Sequence, residues 1–270
     1  MNMQLMLGIS ISCYFISLLL ICLYRDKINT KFFNALFIIT DIIFYLCWNI
    51  ATKHRGGLDD GFITFENISP YIFTIIPLTV FMSEKVRSYA NSAIAFLCFG
   101  MFAALLIDPE YYVLSSLKSE ADFWYTSSAV CHMLCSLYGM YLMITKQVKT
   151  DFSNWGKSIV FMWGSVTFGL VTNLFLDTTC FNMHPDHYRI YMLDIFRSFE
   201  ATAAAYYLGI LVVLTVGMQM GHLLCKLVDK LHGSDKHEAA DEFPTPIIPS
   251  HDNMQHPEWG YPDSKKRKRK

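Results

Sequence analysis

The sequence predicts an all-α fold: a polytopic helical bundle that spans a membrane about seven times. Hydrophobic residues make up 53% of the chain and charged residues 17%, whereas a soluble domain carries roughly 25% charged residues. The apolar residues come in long blocks separated by short charged segments, a pattern typical of membrane-spanning helices. Because the formal net charge is only −1, we expect no nucleic-acid partner, and membrane lipids are the partners that we predict.

Several apolar blocks approach the roughly 20 helical residues needed to cross a hydrocarbon core about 30 Å thick. In chain order they cover residues 4–24, 33–52, 68–82, 91–107, 123–145, 158–176 and 201–225. Each block stops at or next to a charged residue, and the segments that follow begin with Arg25, Lys53, Ser83-Glu84, Asp108-Pro109, Lys146, Asp177 and Lys226. The third and fourth blocks are the shortest. The third contains Pro70 and Pro77, so we expect a kinked or re-entrant segment there.

The positive residues predict the orientation, because Lys and Arg in short loops are retained on the cytoplasmic side. They concentrate after the odd-numbered blocks, as Arg25, Lys27, Lys31, Lys85, Arg87, Lys146, Lys149, Lys157, Lys226 and Lys230. The segments after the even-numbered blocks are acidic by comparison. The sequence therefore predicts an N-terminus outside and a basic C-terminus in the cytoplasm.

Two regions follow from this composition: a transmembrane domain at residues 1–232 and a polar tail at residues 233–270. The tail is rich in Asp, Glu, His, Pro and Ser and has too few apolar residues to fold, so we expect it to be disordered. Its basic end, from Lys265 to Lys270, fits retrieval to the endoplasmic reticulum, and it equally fits cytoplasmic placement with binding to anionic lipid. The sequence leaves open whether the membrane is the plasma membrane or the endoplasmic reticulum.

Polar side chains at membrane depth mark the candidate site, because inserting each of them costs free energy. The candidates are His132 in the fifth block, Asn173 and Asp177 at the outer end of the sixth, and Ser69, Tyr71 and Thr74 in the outer part of the third. We expect these side chains to line one cavity that opens to the outer side.

His132 has two interpretations. Imidazole moves protons near neutral pH, which fits catalysis or ligand binding, but a histidine between helices also commonly bonds to a backbone carbonyl or a hydroxyl. Cys135, three residues on, shares the helical face of His132 and is either a packing residue or a nucleophile. The sequence predicts no cofactor and no metal site.

Four pieces of the chain, taken in order, resemble a known family. They are Pro70, residues 103–109, the run Cys131-His132-Met133-Leu134, and residues 173–185. Across residues 69–214 they resemble the integral membrane family that includes YwaF-type bacterial proteins and the transmembrane-protein-164 acyltransferases. The resemblance implies a seven-span fold and, in the eukaryotic branch, transfer of a fatty acyl chain between glycerophospholipids through a cysteine and a histidine.

In this resemblance His132 matches the histidine, whereas Tyr71 stands at the cysteine position and Ile72 at the histidine position that follows it. Thr74, Ser69 and Cys135 are the alternative nucleophiles. One predicted function is therefore phospholipid acyl transfer or hydrolysis, with His132 as general base and Asn173 or Asp177 orienting it or the substrate. The other predicted function is a non-catalytic sensor or small-molecule transporter that uses the same cavity. The missing cysteine and the prolines in the third block favour this second function.

Overall fold

The computed structural model describes residues 3–54, 68–107, 123–176, 180–184, 187–188 and 198–233. The helices in these ranges are α1 (Met3–Tyr24), α2 (Thr30–His54), α3 (Ile68–Leu78), α4 (Glu84–Ile107), α5 (Phe123–Ile144), α6 (Phe152–Leu176) and α7 (Phe199–Leu231). Short 3₁₀ turns cover Arg25–Lys27 and Cys180–Asn182, and a two-residue antiparallel ladder joins β1 (Met183–His184) to β2 (His187–Tyr188). The predicted all-α helical bundle is confirmed.

The helices are apolar enough for an integral membrane protein. Four stretches have the length and composition to cross a membrane: Gly8–Lys27, Thr30–Cys47, Phe152–Leu176 and Glu200–Leu231. Ile68–Leu78 and Val130–Ile144 are shorter apolar helices. Large apolar side chains point outward, with Phe168 72% and Phe175 81% exposed, and such a surface is stable against lipid rather than water. The number of spans and the side on which each end lies stay predictions.

Several helix ends differ from the predicted blocks: α6 begins at Phe152 rather than at residue 158, α7 ends at Leu231 rather than at residue 225, and α3 and α4 differ as well. α4 begins at Glu84 rather than at residue 91, because the long polar residues of its first turns favour a helix although they are not apolar. The helix of the third block ends at Leu78 rather than at residue 82, with Pro77 in its last turn. Beyond it, the Arg87 guanidinium donates hydrogen bonds to the carbonyl oxygens of Thr79, Val80 and Met82 at 2.8, 3.3 and 2.9 Å, so it binds the turn that joins α3 to α4.

α4 is the central helix of the bundle and packs against α5, α6 and α7. Its residues from Ala93 to Phe99 are all buried. The close packing depends on glycines of the neighbouring helices: a Cβ at Gly139 of α5 would lie 2.5 Å from Cys98 Cβ, and a Cβ at Gly217 of α7 would overlap the Phe96 carbonyl. Small residues of this kind allow membrane helices to approach each other closely.

The chain segments after α1, α5 and α7 meet at one end of the bundle. Arg25 pairs with Asp229 of α7, and the Lys146 amine lies 3.2 Å from the same carboxylate. His232 Nδ1 lies 3.0 Å from Asp26 Oδ2. We call these five residues the charged end; the sequence assigns it to the cytoplasmic side.

The contacts divide the chain into two units, Met1–His232 and Gly233–Lys270. All the helices described above belong to the first unit. The prediction of a disordered tail falls on residues 234–270, which lie outside the described residues.

Candidate functional site

A cavity of about 330 Å³ lies between α3, α4 and α7. Its wall is mostly apolar and includes Ile68, Ile72, Leu97, Ala205, Ile210 and Val213. Gly209, which also lines it, is exposed, and Val213 is 38% exposed. The cavity therefore opens sideways, toward the surface that faces lipid. Ser69 and Tyr206 supply the side-chain hydroxyls of the lining, and we call it the hydroxyl cavity.

The hydroxyls of Ser69 and Tyr206 have no hydrogen-bond partner in the part of the chain that the structure describes. Several other hydroxyls in the helices are satisfied within their own helix; that of Thr74, for example, donates to the Pro70 carbonyl at 2.9 Å. Both residues are half-buried. Each hydroxyl can therefore donate a hydrogen bond to a ligand atom in the cavity or accept one from it.

The loop after α6 positions Tyr206. The side chain of Asn173 is 1% exposed; its amide donates to the Cys180 carbonyl at 2.9 Å and accepts from the Cys180 N–H at 2.7 Å. The next residue, Phe181, has a left-handed backbone with φ of 58°. Its ring packs against the rings of Tyr71 and Tyr206, with centroids 5.5 and 5.8 Å apart. Asn173 thus supports the cavity wall through this loop.

α6 provides the space into which the Phe181 ring fits. A Cβ at Gly169 would lie 2.9 Å from two atoms of that ring, so any side chain there would displace it. One turn earlier, Ser165 shares a hydrogen bond with the Tyr71 hydroxyl. The Tyr71 phenol is therefore bonded to α6 and packed against the Phe181 ring.

The structure brings together part of the predicted site. Ser69 lines the hydroxyl cavity. Tyr71 packs against the Phe181 ring, and Asn173 hydrogen-bonds to Cys180, the residue before Phe181. The Thr74 hydroxyl donates within α3 and to a tyrosine hydroxyl of α2 at 3.3 Å. Asp177 lies outside the described residues, so its role stays a prediction.

His132 and Cys135 lie elsewhere on α5. The His132 ring is half-buried and meets the Phe73 ring edge-on, with centroids 5.1 Å apart. Cys135 is fully buried, and its sulfur lies 3.9 Å from Oδ1 of Asp41 in α2. Asp41 is 2% exposed, and its Oδ2 has no hydrogen-bond partner within the described ranges. The catalytic roles predicted for His132 and Cys135 stay predictions.

The buried thiols and carboxyl do not form a recognisable metal centre. Within the described residues, no group of three or more His, Cys, Asp and Glu side chains has a geometry that could hold a metal ion. All eight cysteines, from Cys13 to Cys225, are free thiols.

Sequence reasoning missed Tyr206, Phe181 and Gly169. The one signal was the interval from Asn173 to the aromatic stretch at Phe181, which belongs to the pieces that resemble the family. Tyr206 stands inside an apolar block, where nothing in the pattern distinguishes it from a residue that faces lipid.

No protein-family model, curated protein or solved structure matches this chain. The resemblance to the YwaF and transmembrane-protein-164 family therefore rests on the sequence pieces alone and stays a prediction. The structure identifies the chain as an all-α integral membrane protein with an apolar cavity that opens toward lipid.

Proposed function

We propose that the protein binds an amphiphilic small molecule from the membrane in its hydroxyl cavity, and that it acts without catalysis, as a sensor or transporter. One observation carries the proposal: the hydroxyls of Ser69 and Tyr206, without partners in the described part of the chain, line an apolar cavity that opens sideways. Binding sites for small molecules are typically apolar, with a few polar groups that orient the ligand, and measure roughly 300–1,000 Å³.

The lining selects for a neutral ligand. Among the described residues, no charged side chain lines the cavity, and an ionised head group would lose its hydration without gaining a counter-ion. A single hydrocarbon chain fits the aliphatic wall, and a hydroxyl or ester end group can exchange hydrogen bonds with Ser69 and Tyr206. A monoacylglycerol or a fatty alcohol has this chemistry.

The surroundings of the predicted nucleophiles favour binding over acyl transfer. Tyr71 is held by Ser165 and by the Phe181 ring, and a phenol is a weak nucleophile unless an adjacent base activates it. The sulfur of Cys135 faces Asp41. Acyl transfer or hydrolysis through His132 stays the competing prediction.

Gly209 allows a direct test because a Cβ at this position would meet no heavy atom within 4 Å. Gly209→Phe therefore places a ring at the opening of the cavity without a backbone clash. Gly164 of α6 is equally open and is not part of the lining, so Gly164→Phe is the matched control. Both changes replace a helical glycine, which by itself favours the helix.

The measurement is the melting temperature of the purified protein in phosphatidylcholine nanodiscs with increasing monoolein or oleyl alcohol. A ligand that binds only the folded state raises the melting temperature in a saturable way. We expect this rise for the wild type and Gly164→Phe, and no rise for Gly209→Phe. An equal rise in Gly209→Phe, or no rise in the wild type with either lipid, would overturn the proposal.

A further inference from the structure

A second cavity, of about 660 Å³, lies between α1, α2 and α5. Leu20 and Leu36, on facing walls, are each 48% exposed, so the cavity is open along the surface that faces lipid. Lys27 and Tyr24 line it where α1 ends, beside the charged end of the bundle. We call it the lysine cavity.

The walls of the lysine cavity are mostly apolar, and the serine and threonine that line it from α1 and α2 bond within their own helices. The Ser17 hydroxyl donates to the Cys13 carbonyl at 2.8 Å, and the Thr40 hydroxyl donates to the Leu36 carbonyl at 2.8 Å. Both groups are thus satisfied within their own helices and present little polarity to the cavity. Leu134 and Leu137 of α5 form its floor. A hydrocarbon chain is the occupant that suits such walls.

Lys27 differs from the other cations near it. Arg25 is paired with Asp229 and Asp26, and Lys146 lies 3.2 Å from the Asp229 carboxylate. Lys27 is exposed and has no ion pair in the described part of the chain. An unpaired ammonium at the mouth of an apolar cavity is complementary to a molecule with an anionic head and a long apolar chain.

We propose that the lysine cavity binds an anionic phospholipid, with an acyl chain between α1 and α2 and its phosphate at Lys27 and the Tyr24 hydroxyl. This site is separate from the hydroxyl cavity, so either proposal can fail without the other. A lysine near a membrane surface contributes about a fivefold preference for an anionic lipid, which is about 1 kcal/mol.

The test compares phosphatidylglycerol with phosphatidylcholine carrying the same acyl chains. Native mass spectrometry of the full-length, delipidated protein with equal amounts of both lipids counts the bound molecules of each. We expect the wild type to prefer phosphatidylglycerol about fivefold. Lys27→Gln loses this preference while its binding of phosphatidylcholine is unchanged. Lys226→Gln is the matched control, because Lys226 is also an exposed lysine but does not line the cavity.

Equal binding of the two lipids to the wild type would overturn the proposal. So would an undiminished preference in Lys27→Gln, or an equal loss in Lys226→Gln, which would show a general charge effect. A further arm adds sn-glycerol 3-phosphate in excess. Displacement of phosphatidylglycerol by this soluble anion would show that the site recognises free phosphate rather than a lipid and would contradict the role given to the apolar walls.

Discussion

The hydroxyl cavity and the lysine cavity have similar walls and different polar groups. The first, of about 330 Å³, carries the hydroxyls of Ser69 and Tyr206; the second, of about 660 Å³, ends at the amine of Lys27. A hydroxyl recognises a neutral polar atom by a short hydrogen bond, whereas an unpaired ammonium attracts an anion. We therefore expect one or two polar side chains to decide the class of ligand, since aliphatic walls accept any hydrocarbon chain.

The two cavities also differ in the structural elements that form and position their walls. The hydroxyl cavity depends on a loop that Asn173 fixes through Cys180 and that contacts Tyr206 through the Phe181 ring. The lysine cavity is formed by α1, α2 and α5 and the turn after α1. A change in the loop should therefore separate the two sites.

The largest effect is expected for Asn173→Ala. It leaves the buried N–H and carbonyl of Cys180 without their side-chain partner, which costs about 2–3 kcal/mol of unfolding free energy. Thermal unfolding in detergent measures this cost. Because the loop no longer positions Tyr206, binding of monoolein falls as well, whereas the preference for phosphatidylglycerol at the lysine cavity is unchanged.

Thr172→Ala is the control for this change. The Thr172 side chain is half-buried, and its hydroxyl donates to the Phe168 carbonyl of its own helix. We expect a stability change within about 0.5 kcal/mol. Equal losses of both lipids in Asn173→Ala would contradict the separation of the two cavities.

A smaller effect is expected for Tyr206→Phe, which keeps the ring that packs against Phe181 and removes only the hydroxyl. The loss of one hydrogen bond to the ligand weakens binding about three- to tenfold, while the melting temperature without ligand stays the same. Titration of monoolein into the nanodisc-embedded protein measures the affinity. Tyr207→Phe is matched in chemistry, because the Tyr207 hydroxyl bonds to that of Thr167 at 2.7 Å and Tyr207 does not line the cavity. An unchanged affinity of Tyr206→Phe for monoolein would show that the Tyr206 hydroxyl does not bind the ligand.

The helices could be predicted from the sequence because their apolar blocks have the length of a bilayer core and end at charged residues. The ends of α3 and α4 could not. The first turns of α4 are polar, and α3 ends at Leu78, directly after Pro77, although the apolar block continues to residue 82. Hydropathy measures where lipid surrounds the chain rather than where a helix begins or ends.

The candidate site was predictable only where polarity at membrane depth indicated it, as for Ser69, Tyr71 and Asn173. Which way these side chains point was not, because a helix that is apolar all round gives no periodic signal for its buried face. Phe181 has a left-handed backbone, and its ring fits into the space left by the missing side chain of Gly169. Neither feature can be predicted from composition. From the sequence, Lys27 indicates only topology, because a cation after a span has that meaning whether or not it lines a cavity.

The most direct test of ligand binding in the hydroxyl cavity is photo-crosslinking with a monoacylglycerol that carries a photoactivatable group in its chain. The protein is labelled in nanodiscs, and mass spectrometry identifies the modified peptides. The account predicts labelling of α3 around residues 68–72 and of α7 around residues 205–213, reduced by excess monoolein and by Gly209→Phe. Labelling spread over the outward faces of the helices, without reduction by either, would contradict it.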